Sequence, residues 1–189
     1  MKKTIPVIQV EKHSTKIHTF CCINWKVKSD LRIYIDYVPK KRGIGLKRKH
    51  LSMDSESTIS SFSDYMLPFL HETEMENGFV LMDGARCHTS EETICWLDEN
   101  NIQYIPFGGL PSQTLDGYPP NSPDLNPIEN VFSYWQTQVS NEMLKITELI
   151  KFVKEEWDHI PLYVIQNCIK RLPKVMEYVY EHNGEYYNP

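Results

Sequence analysis

The apolar positions follow one rhythm early in the chain and another later. IPVIQV (5–10) is a short apolar run, and KIHTFCCINW (16–25) is rich in β-branched and aromatic residues. DLRIYIDYV (30–38) sets Leu31, Ile33 and Ile35 against Arg32, Tyr34 and Asp36. A period of two predicts strands, and KVKS between the last two runs predicts a hairpin connection.

The rhythm then changes to that of helices. Ile59, Phe62, Met66, Phe69 and Leu70, with serines in front, predict a helix over 57–71. FVLMD (79–83) predicts a buried strand ending in an acid. Thr89 with Glu92 matches a capping box, so a second helix is expected from Thr89, with Ile94 and Leu97 on its apolar face. IQYI (102–105) predicts another strand, and the Gly/Pro-rich stretch 106–126 a loop. Three apolar stripes follow: Ile128, Val131, Phe132, Trp135 and Val139; Leu149, Ile150, Val153 and Trp157; and, after Pro161, Ile165, Ile169, Leu172, Met176 and Val179. Pro173 is expected to bend or interrupt the last helix. The order strands, helix, strand, helix, strand, helices predicts an α/β layered domain with a mixed sheet.

Composition narrows the class. A chain of 189 residues, 41% hydrophobic and 24% charged, is expected to form one domain with a proper core. No run reaches the roughly 18 apolar residues of a membrane helix, so no membrane partner is expected. Five cysteines without a C-x-x-C pair argue against a disulfide framework or zinc site and for a reducing, intracellular location, nuclear or cytoplasmic. The net charge of −5 hides a basic stretch, PKKRGIGLKRKH (39–50), with Lys40, Lys41, Arg42, Lys47, Arg48 and Lys49. It reads either as a solvated loop or as a phosphate contact or nuclear import signal.

Two acids occupy special places. Asp83 closes the apolar strand, where ligands gather in α/β sheets, and His88 follows it closely. Glu129 opens a helix after a long loop. Two carboxylates brought to one edge would suit Mg²⁺ or Mn²⁺ and phosphodiester chemistry, in which two metals about 4 Å apart activate the attacking and leaving oxygens. Local structure explains the same residues. Asn126, Pro127 and Glu129 fit an ordinary helix start, Asp83 before Gly84 fits a turn, and His88 fits a hydrogen-bonded loop residue.

LMDGARCHTS, ICWLDENNIQYIPF and PPNSPDLNPIENVFSYW together resemble the catalytic core of mariner-superfamily transposases, and the likeness runs from about Lys16 to Tyr187. The resemblance implies a ribonuclease-H-like fold and Mg²⁺-dependent DNA cleavage and strand transfer, with DNA as partner and no small-molecule substrate. It makes Asp83 the second catalytic aspartate and Glu129 the final acid, both metal ligands. It also makes Asp124 and Asn126 shapers of the loop presenting Glu129, and His88 the histidine that follows the second aspartate.

The chain departs from the family pattern in two ways. The two acids are 46 positions apart, longer than usual, and the excess, GGLPSQTLDG (108–117), is expected to be an exposed loop. The family's first aspartate and helix-turn-helix domain have no counterpart. IPVIQV stands where the first strand belongs but carries no aspartate, Glu11 is a weak substitute, and Asp36 falls on the wrong strand. The expectation is therefore a single incomplete catalytic core, its first strand missing or replaced. Metal binding and activity should be weak or lost, and an unpaired sheet edge would favour a homodimer. Two alternatives stand beside it: a non-catalytic nucleic-acid-binding or protein-interaction module using residues 39–50, and a chain whose first aspartate is encoded upstream.

Overall fold

A computed structural model describes residues 17–35, 37–39, 46–48, 53–107, 117–119, 121–139 and 146–187. IPVIQV, Glu11, Asp36, Lys40, Lys41, Arg42 and Lys49 lie outside them.

Strands β1 (Ile17–Phe20) and β2 (Arg32–Ile35) form the expected antiparallel hairpin, with Ile17 opposite Ile35 and Phe20 opposite Arg32. Its connection is closed by an Asx turn in which Asn24 Oδ1 accepts the backbone N–H groups of Lys26 and Val27, both at 2.8 Å. The basic stretch is not simply a loop. β3 (Tyr37–Pro39) pairs antiparallel with β4 (Leu46–Arg48), so Lys47 and Arg48 have strand backbones. β5 (Phe79–Val80) and β6 (Gln103–Tyr104) pair in parallel. The fold is thus α/β with both strand orientations, in three two-stranded ladders among the described residues.

The hairpin divides two apolar cores. Ile17, Cys21 and Ile23 belong to one and Phe20 and Cys22 to the other, as a period of two requires. On the first side pack α5 (Pro127–Val139), α6 (Ile146–His159) and α7 (Leu162–Glu181), through Val131, Trp135, Val153, Trp157 and Ile165. On the second, Phe62 and Met66 meet Met82, Leu97, Ile102 and Phe107.

The helix foreseen over 57–71 runs as α1 (Ser55–Ser61), a π-helical turn over Phe62–Met66, and α2 (Leu67–Glu72), capped where Asp54 accepts the Ser57 N–H at 2.9 Å. The polar face of β2 meets it. Arg32 pairs with Asp64 at 2.8 Å, and the Tyr34 hydroxyl donates to the Ser57 carbonyl at 2.9 Å.

Four expectations are corrected. FVLMD is not a continuous buried strand: pairing stops at Val80, Phe79 is 69% exposed, and within the run only Met82 is fully buried. The second helix, α4 (Glu91–Glu99), is capped by Ser90, whose hydroxyl accepts the Thr93 N–H at 3.3 Å; Thr89 belongs instead to a short helix, α3 (Arg86–Thr89). A serine one residue nearer the helix reaches its first free N–H groups and displaces the threonine. Of the two outcomes expected at Pro173, interruption does not occur: α7 continues through it, with Ile165 and Val175 buried on either side to offset the hydrogen bond that proline removes. Beyond the proline it is Val175, not Met176, that is buried.

Candidate functional site

Asp83 lies just beyond β5 in the turn leading to α3. Its Oδ1 accepts two hydrogen bonds, from the Ala85 backbone N–H at 3.1 Å and from His88 Nδ1 at 2.7 Å. The His88 ring is stacked on Phe62, centroids 6.1 Å apart. The hydrogen bond from His88 is the main cause of a lowered Asp83 pKa, opposed in part by burial.

Glu129 is the third residue of α5. A 3₁₀ turn over Pro123–Leu125 delivers the chain to buried Asn126, whose side chain accepts the Ile128 N–H at 3.3 Å and whose carbonyl accepts the Glu129 N–H at 3.1 Å. The local reading of Asn126 as N-cap therefore holds. Asp124, in the 3₁₀ turn, accepts the Tyr187 backbone N–H at 3.1 Å, which ties the loop to the residues after α7. The Glu129 pKa is raised, first by burial and then by the negative charge of Asp83.

The effect of Asp83 on Glu129 reflects shared space. Asp83, His88, Asn126 and Glu129 line one cavity of about 390 Å³ whose walls are otherwise largely apolar, among them Phe62 and Phe132. Sequence reasoning missed a neighbour, Tyr118. It is buried, donates its hydroxyl to the Ser122 carbonyl, and its pKa is pushed up to about 12 by burial and then by Asp124, Asp83 and Glu129. The cue in the sequence was its place at the close of the long excursion. Phe107 and Tyr118 form a parallel bridge and the Tyr118 N–H donates to the Pro106 carbonyl at 2.6 Å, so the ends of the excursion meet.

Of the predicted basic contact, Lys47 and Arg48 lie on β4, opposite Val38 and Tyr37, and the other four cations lie outside the described residues. Among the described residues, no group of three or more His, Cys, Asp or Glu side chains is arranged to hold a metal ion. The cysteines 21, 22, 87, 95 and 168 are all free. No helix among the described residues is long and apolar enough to cross a membrane.

Comparison with known proteins agrees with this architecture. A family model described as DDE superfamily endonuclease matches residues 47–151. The Transposable element Tc1 transposase of Caenorhabditis elegans is 28% identical over 145 residues, which is 74% of this chain and 47% of that protein. The chain thus spans about half the length of this curated relative. Among solved structures, the catalytic domain of Mos1 mariner transposase superposes with a TM-score of 0.62 at 16% identity, covering 92% of this chain and 82% of that one. The mariner Mos1 paired end complex with Mg gives a TM-score of 0.70 at 14% identity, covering 100% of this chain and 50% of that one. The fold is that of the Mos1 catalytic domain, and with more than half its length matched the chain belongs to the DDE superfamily endonucleases.

Proposed function

We propose that this chain is a transposase-derived domain built for divalent-metal-dependent cleavage and transfer of DNA strands, with Asp83 and Glu129 as its acid ligands. The observation that carries the reading is the shared cavity: two carboxylates 46 positions apart open onto one space, and the charge of one raises the pKa of the other. Like charges held together cost free energy that a cation would return.

The donor set fits Mg²⁺ or Mn²⁺, because both groups are hard oxygen anions. A bound cation would supply Lewis acidity to a phosphodiester and lower the pKa of water or a 3′-hydroxyl. The chain's own residues do the rest. His88 and the Ala85 N–H fix the Asp83 carboxylate, leaving its Oδ2 free of hydrogen bonds among the described residues. The Asn126 cap and the tie from Asp124 to Tyr187 fix the first turn of α5, and with it Glu129. With the two acids found among the described residues, the site takes one cation, weakly, and turnover is slow or absent. Free cysteines suit a reducing compartment, nuclear or cytoplasmic.

The test is thermal unfolding of the purified chain with Mg²⁺ or Mn²⁺, run beside nicking of supercoiled DNA. The cation is expected to raise the melting temperature of the wild type and not that of Asp83→Ala or Glu129→Ala, with little nicking. Equal cation shifts in all three proteins would sink the metal assignment. Salt-sensitive DNA binding without any cation shift would favour the non-catalytic binding module instead.

A further inference from the structure

α7 packs against α5 and against the 3₁₀ turn that precedes it, and at this crossing stands Arg171. Its Nη1 donates to Asn130 Oδ1 at 3.4 Å, and its guanidinium lies 4.9 Å from the centroid of the Tyr187 ring. Tyr187 is itself held, by its backbone bond to Asp124 and by an edge-on contact with Tyr178 at 5.1 Å. Arg171 is half-buried, yet among the described residues it forms no ion pair. Among the described residues, one of its five N–H donors is engaged. The cation is therefore oriented by neutral groups without being neutralised.

Two further cations join it. Lys170 and Lys174 are exposed and, at 100° per residue, fall with Arg171 inside one arc of α7. Glu177 and Glu181 end the positive stretch toward the helix C-terminus. A positive ridge on a chain of net charge −5 stands out against its own background. Arg171 touches Asn130, the residue after Glu129, and Ile169, the residue before Lys170, lines the acid-bearing cavity, so the ridge starts one residue from that cavity on both α5 and α7.

We propose that Arg171, with Lys170 and Lys174, grips the phosphodiester backbone of DNA beside the position where Asp83 and Glu129 act. The inference rests on the function proposed above and adds a substrate contact to it. A planar guanidinium held by stacking offers paired donors matched to phosphate oxygens, and the lysines add charge along the strand.

The experiment measures fluorescence anisotropy of a labelled DNA duplex with the full chain, without divalent cations, over a series of NaCl concentrations. Arg171→Gln is expected to lower affinity several-fold and to flatten the slope of log affinity against log salt by about one. Arg171→Lys should restore the slope without the full affinity. Tyr187→Ala should weaken binding while leaving the slope, because it removes the stack and no charge. Wild-type affinity and slope in Arg171→Gln would overturn the proposal. If Arg171→Gln fails to fold, the exposed pair Lys170→Gln/Lys174→Gln decides, and an unchanged slope there overturns it. A wild-type chain with no salt-dependent affinity for the duplex would sink the DNA reading as a whole, a result distinct from loss of this contact alone.

Discussion

The segment around Asp83 and the segment around Glu129 hold the same chemical group in opposite ways. Asp83 follows a ladder of two residues, and its carboxylate is satisfied from within its own turn, by Ala85 and His88. Glu129 stands on a helix of thirteen residues, firmly seated through Val131 and Trp135, yet its carboxylate accepts no hydrogen bond among the described residues. The backbone is weakly built where the side chain is well partnered, and strongly built where it is not. One pKa falls and the other rises. An acid that lowers its own cost by local bonding explains itself. An acid fixed in place without a partner, beside a second negative charge, is what a cation site requires.

Breaking the support under Asp83 should have the largest effect. Phe62 is 1% exposed, stacks on His88 and makes tilted ring contacts with Phe20 and Trp96. Phe62→Ala should cost about 3–5 kcal/mol in chemical denaturation, with the segment 83–89 losing amide protection first. Next comes His88→Ala, which removes the partner of Asp83 and should cost about 1 kcal/mol near neutral pH, reduced by water around a carboxylate 48% exposed. Because the folded pKa of Asp83 is lowered, that stabilisation is present above the unfolded value of about 4 and fades as pH falls through the folded one. Urea melts across pH should show the variant and the wild type converging in acid.

The opposite sign is expected at the other acid. The raised pKa of Glu129 means the folded state holds its proton more tightly, so the penalty of ionisation is full above the folded pKa and absent below about 4. Glu129→Gln should therefore stabilise the metal-free chain at pH 7, by less than about 1 kcal/mol for a partly exposed group, with the gain vanishing in acid. The smallest effect is the sharpest. In an Asp83→Asn background the gain from Glu129→Gln should shrink by a few tenths of a kcal/mol, about the size of one screened charge pair. Strict additivity would show that the two carboxylates do not sense each other.

What could be read from the sequence was what neighbours along the chain decide. Asn126 caps α5 through bonds that reach two and three residues, and the hairpin alternation of β1 and β2 sorts Cys21 from Cys22 without outside help. Errors arose where distant packing overrode local preference. Phe79 belongs to an apolar run, but its ladder is two residues long and leaves it facing water. Pro173 is a helix breaker by itself, and α7 passes through it because its flanks are anchored elsewhere. The joint placement of Asp83 and Glu129 came from a family likeness and not from spacing, which fits a turn and a cap equally well. Tyr118 escaped notice because its burial depends on a bridge to Phe107 that closes only in the folded chain.

The hairpin turn of β1 and β2 is fastened to the far end of the chain. Lys28 Nζ donates to the carbonyls of Asp158 and Ile160, Trp157 Nε1 to that of Ser29, and Gln166 Nε2 to that of Trp25. These bonds join residues about 130 positions apart, so as the chain leaves the ribosome the hairpin must wait, one apolar face uncovered, until α6 and α7 have been made. Synthesis that stalls before Trp157 is translated would leave that apolar face open to other chains.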